Sequence, residues 1–378
     1  MEKLSIEDIR KLAERIAIDK LAPRASEIDQ THSFPWENIC VLRQAGFHKL
    51  IIAEDEEGMG YGRVCFASVV KEIAKACAST ALVYVSHSIV AKAIELAGSE
   101  TIKKKFLSEM LKGRGLGAFA VHEPDSGSNS GAITTIAKKD DGGYIVNGSK
   151  FFITSAGEAD LYLVLARTDP EKGPQGMSTL LIEKDTPGLS FGRSEDKMGL
   201  RSTSSREMFF SDCRVPAENL IGKEGEGTQV IGKTVIGWGF FGAAAISAGI
   251  ARAAIELAIK HAKERIIGGQ PIAVHQAVQF MITDMTLGTE AADSFLMTCG
   301  EEADSNPETA IINGLKAKLF ASEAAINVTN LAIQVMGGHG YCRDYVVERL
   351  FRDARGLTLH FKTSEWLRQD IAKAVIGM

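Results

Sequence analysis

Two glycine-spaced stretches look at first like phosphate cradles. Gly227-Thr-Gln-Val-Ile-Gly232-Lys233-Thr234 has the spacing of a P-loop, and Gly237-Trp-Gly239-Phe-Phe-Gly242 that of a dinucleotide turn. A P-loop needs a buried strand directly before it, so that loop amides and a helix N-terminus face the phosphate. Here the preceding residues are Gly222-Lys223-Glu224-Gly225-Glu226, and two carboxylates repel phosphate. Each motif would also demand its own strand–turn–helix on nearly the same ground. Both are therefore read as glycine permitting close helix packing. Gly337-Gly338 lets a backbone approach another molecule closely, or simply ends a helix. Ser128, after a glycine, offers a hydroxyl and backbone amides, and Arg265 a guanidinium fork; together these suit a pyrophosphate. An arginine at a helix end also complements the helix dipole. The six cysteines are scattered with no CxxC pair, which predicts free thiols in a reducing compartment, no disulfide framework and no metal site.

These residues need elements to hold them. The chain has 378 residues, room for two or three domains, with 45% apolar and 24% charged residues. A net charge of −5 gives no basic surplus for a phosphate backbone, so nucleic acid is not an expected partner. The N-terminus is charged and amphipathic without an apolar signal core, and no run approaches a membrane span, so the expectation is a cytoplasmic protein with no membrane partner. Ser5 with Asp8 resembles a capping box for a first helix, which Pro23 ends or offsets. A second helix starts after Pro35, and alanine-rich helices follow over Phe66–Ala81 and Ser86–Ala97. Near Gly113 the texture changes to short β runs over Ala132–Ala137, Tyr144–Val146, Phe151–Thr154, Leu161–Ala166, Thr179–Ile182 and Glu207–Phe210. Turn signals such as Asp141-Gly142 and Asn147-Gly148 separate them, predicting an antiparallel β domain. From Thr228 the chain is helical again, over Ala243–Arg265, Ala273–Cys299, Pro307–Met336 and a C-terminal helix, which suggests a four-helix bundle. The fold class is α+β multidomain: helical 1–115, β 116–225 and helical 226–378.

Seven motifs in series give this pattern a more specific likeness. They are Val121-His-Glu-Pro-Asp-Ser-Gly-Ser128, Asn147-Gly-Ser-Lys-Phe-Phe-Ile-Thr154, Lys197-Met-Gly-Leu-Arg201, Val215–Gly222, Glu264–Gln276, Gln334–Tyr341 and Arg349–Arg355. In order and spacing the chain resembles the acyl-CoA dehydrogenase family of flavoproteins along nearly its whole length. The resemblance implies a helical domain, a β domain and a C-terminal four-helix bundle, a homotetramer, and FAD reaching across a subunit interface. It also implies an acyl-CoA or acyl-carrier substrate and an electron-transferring flavoprotein as electron partner. Phe152 stands where the family stacks an aromatic on the flavin, and Thr154 where a hydroxyl meets it. His122, Ser128, Arg265, Gln276, Gln334, Gly337, Gly338, Thr363 and Glu365 carry over as cofactor contacts, and Ser128 also as a substrate contact.

The chain departs from the family where the reaction occurs. The family removes a proton from the acyl Cα with a buried carboxylate while hydride leaves Cβ. The usual Glu position is Phe361, next to Lys362 where the family has Gly. A minority of the family places the base on the first bundle helix, just before an arginine; the pair here is Gly239-Phe240, and Val235–Gly249 holds no acid. Other departures are His122, Phe152 and Gly268, where the family has Thr, Trp and Phe. Three readings follow. A relocated base is one, with His87, His122 and His360 as candidates, because histidine suits a base near neutral pH. A non-dehydrogenating reaction such as β-elimination of sulfinate is the second. A non-catalytic flavin subunit is the third. Lys362 is either a solvated cation or a partner for a substrate carboxylate.

Overall fold

In the computed structural model, which describes residues 3–378, the chain begins with the helix the capping box predicts. Helix α1, Ile6–Ile16, starts at Ser5, whose hydroxyl accepts from the Asp8 amide at 3.1 Å. A π-helical turn, Ala17–Leu21, leads into α2, Ala22–Thr31, so Pro23 offsets the helix and does not end it. Helix α3 is Trp36–Gln44. Next come α4, Arg63–Ala76, and α5, Ala78–Ala97, separated by an extended Cys77. That break falls inside the first alanine-rich stretch, because alanine content alone does not reveal a one-residue kink.

The β domain is one eight-stranded sheet. Its strands are β1 (Gly117–Ala120), β2 (Ile136–Asp140), β3 (Gly143–Ile153), β4 (Leu161–Arg167), β5 (Met177–Glu183), β6 (Leu189–Phe191), β7 (Arg206–Pro216) and β8 (Leu220–Ile221). The order is β6-β7-β3-β2-β4-β5-β8, with β1 on β4. Two corrections to the sequence reading arise here. The sheet is not wholly antiparallel, since β1 and β2 both pair with β4 in parallel. Asn147-Gly148 is not a turn between strands. It lies inside β3, where the register against β7 shifts between Val146 and Gly148 and again between Lys150 and Ile153. Gly148 has φ +140°, so an irregularity within the ladder uses the same residues a hairpin would.

The C-terminal part opens with Gly227–Ile231, passes through a π-helical stretch, Gly232–Gly239, and continues as α6, Phe240–Glu264. Neither glycine-spaced motif follows a buried strand, and both are helical. Then come α7 (Gln276–Ser305), α8 (Ala310–Met336), α9 (Val346–Leu359) and α10 (Ser364–Ile376). The expected single C-terminal helix is thus two, broken at residues 360–363 around Phe361, whose φ is +62°. The segments Ala78–Ala97 and Gly227–Glu264 are long and apolar enough to cross a bilayer, contrary to the sequence reading; their apolar windows are 83% and 94% buried inside the fold. They are the central helices of the core. Val85, Ile89, Phe241 and Ile246 among them have no exposed surface.

Candidate active site

A cavity of about 690 Å³ opens where the sheet meets the break between α9 and α10. Of the residues singled out in the sequence, it collects His122, Ser128, Phe152, Thr154, His360, Phe361 and Thr363. Lys197 and Glu123, which the sequence reading did not single out, line it as well.

One wall is a hydrogen-bonded lattice around Glu123. The carboxylate accepts from the Thr134 amide at 2.5 Å, the Thr134 hydroxyl at 2.8 Å and the Thr135 amide at 3.0 Å. It also pairs with Lys150 Nζ at 2.8 Å, and Lys150 donates to the Val121 carbonyl at 3.1 Å. Both side chains are buried. Burial opposes the Glu123 charge, but Lys150 and these donors outweigh it and hold the carboxyl at about 2. The pair pins β3 to the loop from His122 to Ser128. From that loop Ser128 Oγ accepts from the Thr363 amide at 3.3 Å, tying the sheet to the first turn of α10.

Phe152 is held open. Its φ is +54° and its ring is 56% exposed. A bulky residue in the left-handed region that still presents its ring outward gains little from burial, which is a mark of a binding surface. Thr154 Oγ1 lies 3.4 Å from His360 Nε2. Lys197 Nζ is buried without a hydrogen-bond partner in the described chain, and burial pulls it down to about 8. An ammonium so placed requires an acceptor from outside the chain. A flat exposed ring, a hydroxyl and an unpaired buried donor around one cavity fit a flavin, which presents a flat ring system edged with acceptors.

The other wall carries no acid. Phe361 stacks on Phe119 at 5.5 Å and 22°, and meets Phe240 at 5.7 Å and His360 at 5.0 Å edge-on. A Cβ built on Gly239 would lie 3.1 Å from Phe361 Cε1, so the two positions that could have held a base converge on one point. Neither offers a carboxylate there, and among the described residues lining the cavity Glu123 is the one acid. His360 is held down to about 3, first by burial and then by His122, Lys318 and Lys197. His122 is also lowered by burial, against a hydrogen bond to the Phe361 backbone that favours its charged form. Both imidazoles are neutral at pH 7. Lys318, buried in α8, donates to the Lys362 carbonyl at 2.7 Å and so grips the loop behind Phe361. Lys362 itself pairs with Asp370 and lies over Trp366, which answers the question its position raised.

The remaining candidates lie elsewhere. His87 is buried beside Arg43, His48 and Tyr84 in a separate small void. It accepts from the Gly117 amide at 3.2 Å, and burial pulls it down to about 3. The structure therefore does not bring His87 to the cavity. Glu365 sits exposed in the first turn of α10, next to Thr363. Arg265, Gln276, Gln334, Gly337 and Gly338 are all exposed on the bundle and do not line the cavity. His261, held low by burial and then by His339 and Arg265, links the Arg265 turn to the turn after α8. A Cβ on Gly337 or Gly338 would meet nothing within 4 Å, so the close approach they permit faces outward. The one signal that could have found Lys197 was its motif, since an unpaired buried amine is visible only in three dimensions.

Comparison with known proteins gives three family-model matches that tile the chain. Models described as acyl-CoA dehydrogenase N-terminal, middle and C-terminal domain match residues 5–114, 118–213 and 225–376. An acryloyl-CoA reductase (NADH) of Anaerotignum propionicum is 39% identical over 98% of this chain and 94% of its own. A cyclohex-1-ene-1-carbonyl-CoA dehydrogenase of Syntrophus aciditrophicus is 40% identical over 99% and 90%. The solved butyryl-CoA dehydrogenase of Megasphaera elsdenii is similar in structure with a TM-score of 0.94, at 34% identity, over 100% of this chain and 99% of that one.

Proposed function

The chain belongs to the acyl-CoA dehydrogenase family, and from that premise we propose that it interconverts the saturated and α,β-unsaturated forms of an acyl-CoA with His360 handling the Cα proton. It is an FAD-dependent oxidoreductase acting on a CH–CH group. The observation that carries the proton assignment is the acid-free aromatic wall: with Phe361 and Gly239 where a carboxylate would stand, His360 is the titratable ring in contact with both Phe361 and Thr154. Bound FAD supplies the acceptor or donor for the Cβ hydride. Phe152, Thr154, Ser128, Thr363, His122 and Lys197 hold it in the cavity on this reading. Arg265, Gln276, Gln334, Gly337, Gly338 and Glu365 meet the cofactor of a neighbouring copy in a homotetramer, with domain boundaries after residues 115 and 225. The His360 imidazole is neutral at pH 7 and so can accept a proton, as a weak base whose conjugate acid burial holds at about 3, and its Nε2 faces Thr154 Oγ1. Rings on the aromatic wall keep water from the reacting carbon, which strengthens each remaining polar contact. An electron-transferring flavoprotein is the expected redox partner, and the cytoplasm the expected compartment.

The test is anaerobic titration of the flavin-loaded protein with saturated and unsaturated acyl-CoAs, following flavin bleaching and reoxidation. His360→Asn should slow bleaching roughly a hundred- to ten-thousandfold while flavin and ligand still bind. Bleaching at the wild-type rate would remove His360 from the role. The acid-free wall also favours a second reading, elimination of a β-substituent, which needs no Cα base. It predicts product formation with the flavin still oxidised.

A further inference from the structure

Helix α8 buries one long face, and a lysine stands on it. Gly314, Lys318, Ala321, Ser322 and Ala325 recur at helical spacing and are all buried. Small neighbours leave room for the long side chain, and Lys318 has no exposed surface. Among the described residues no carboxylate forms an ion pair with it; Glu323 is held by Arg368 at 2.6 Å. Burial pulls the Lys318 amine down to about 7, against the weaker attraction of Glu323 and Glu365. A methionine would fill the same space without that desolvation, so the amine carries a cost that its contacts must offset.

Those contacts are main-chain carbonyls at a single place. Nζ donates to the Lys362 carbonyl at 2.7 Å and lies 3.5 Å from the Thr358 carbonyl. Thr358 is in the last turn of α9, where carbonyls lack helical partners and a cation is favoured. Between these two residues the Lys362 amide donates back to the His360 carbonyl at 2.7 Å, and Phe361, the residue enclosed, has φ +62°. An amide bonded two residues back around a positive φ makes a γ-turn of the rare, strained hand. Such a turn persists only where its surroundings hold it. Lys318 spans it from the bundle side, joining the helix end before it to the residue after it. From the sheet side His122 bonds the Phe361 backbone, and Ser128 accepts from the Thr363 amide at 3.3 Å. His360 and Phe361 line the cavity, whereas Lys318 does not and reaches it only through this turn.

We propose that Lys318 is a positioning residue, whose amine holds the γ-turn at residues 360–362 in the form that aims the His360 ring into the cavity. The proposal rests on the reading of His360 as the group that handles the Cα proton. Without the amine the turn relaxes toward an unstrained backbone, and His360 Nε2 leaves its place 3.4 Å from Thr154 Oγ1. A displacement on the order of 1 Å slows a reaction that depends on alignment roughly a hundredfold.

The experiment compares Lys318→Met, His360→Asn and the double variant with the wild type, each as full-length flavin-loaded protein. The readouts are hydrogen–deuterium exchange, binding of butyryl-CoA and the rate of flavin bleaching. In Lys318→Met the Lys362 and Thr363 amides should exchange at least about tenfold faster. Butyryl-CoA should bind within about threefold of the wild-type affinity while bleaching slows roughly a hundredfold. The double variant should be no slower than His360→Asn alone, because both changes act through one ring. Lys318→Gln keeps an N–H donor and should recover part of the lost rate and protection; it also carries the comparison should the methionine variant not fold. Wild-type exchange and bleaching in the Lys318 variants would overturn the proposal and leave the His360 reading standing. Losses that multiply in the double variant would overturn it as well, since Lys318 would then act elsewhere. Wild-type bleaching in His360→Asn would sink the His360 reading and the proposal with it.

Discussion

On one wall of the cavity, Glu123 accepts three hydrogen bonds and an ammonium, and each group it touches is itself anchored in β3 or in the loop before β2. On the other wall, Phe361, Phe119 and Phe240 meet ring to ring. The first wall fixes position through directed bonds whose loss strands a buried charge. The second fixes shape through packing, which tolerates exchange of one apolar group for another. A scaffold can therefore keep its polar wall intact while the packing opposite changes, because the two walls draw their stability from different interactions.

The largest effect should come from breaking the polar wall. Glu123→Ala leaves Lys150 buried and unpaired, and should cost about 3–5 kcal/mol in denaturant unfolding, with loss of flavin. A cost near 1 kcal/mol would mean that this wall is no more directed than the other. Acid should act next, through the histidines. His360 and His87 are both held at about 3 when folded, against about 6.5 when unfolded. Below pH 6.5 the unfolded chain takes up protons that the folded chain refuses, so stability falls as pH drops and is fully present above about 7. Going from pH 7 to 5 should cost about 2 kcal/mol per histidine, and His87→Asn should remove its share of that slope. Phe361→Leu conserves apolar character and should cost less than about 1.5 kcal/mol, well under the Glu123 change. The smallest effect is expected for Ser128→Ala, which takes one acceptor from the Thr363 amide. It should cost about 1 kcal/mol and show as faster amide exchange at residues 361–364.

Much of this was legible in the chain itself. Ser5 and Asp8 gave the first cap, and the change of texture near Gly113 located the sheet. The ordered motifs contain Ser128, Phe152 and Thr154, and the resemblance added Thr363; all four line the cavity. What was not legible depended on distance. Parallel pairing of β1 and β2 with β4 has no local mark, because buried β1 and largely exposed β2 carry the same short strand texture as the antiparallel strands. The irregularity at Gly148 uses the residues of a hairpin turn. The helices Ala78–Ala97 and Gly227–Glu264 carry scattered polar residues, so no unbroken apolar run in the sequence marks their high mean hydropathy. His87 and His360 look equivalent as residue types, and only the fold sends one to a separate void and the other to the cavity.

The contact between Gly239 and Ile89 constrains how this protein can change by single mutational steps. A Cβ at position 239 would meet Ile89 Cδ1 at 2.5 Å and Phe361 Cε1 at 3.1 Å. Ile89 Cδ1 ends a flexible side chain, so a larger residue at 239 demands a new Ile89 rotamer, and positions 89, 239 and 361 are coupled. Position 361 differs, because a side chain already occupies the space there. A carboxylate at this point of the cavity is thus reached by a single substitution more readily from 361 than from 239.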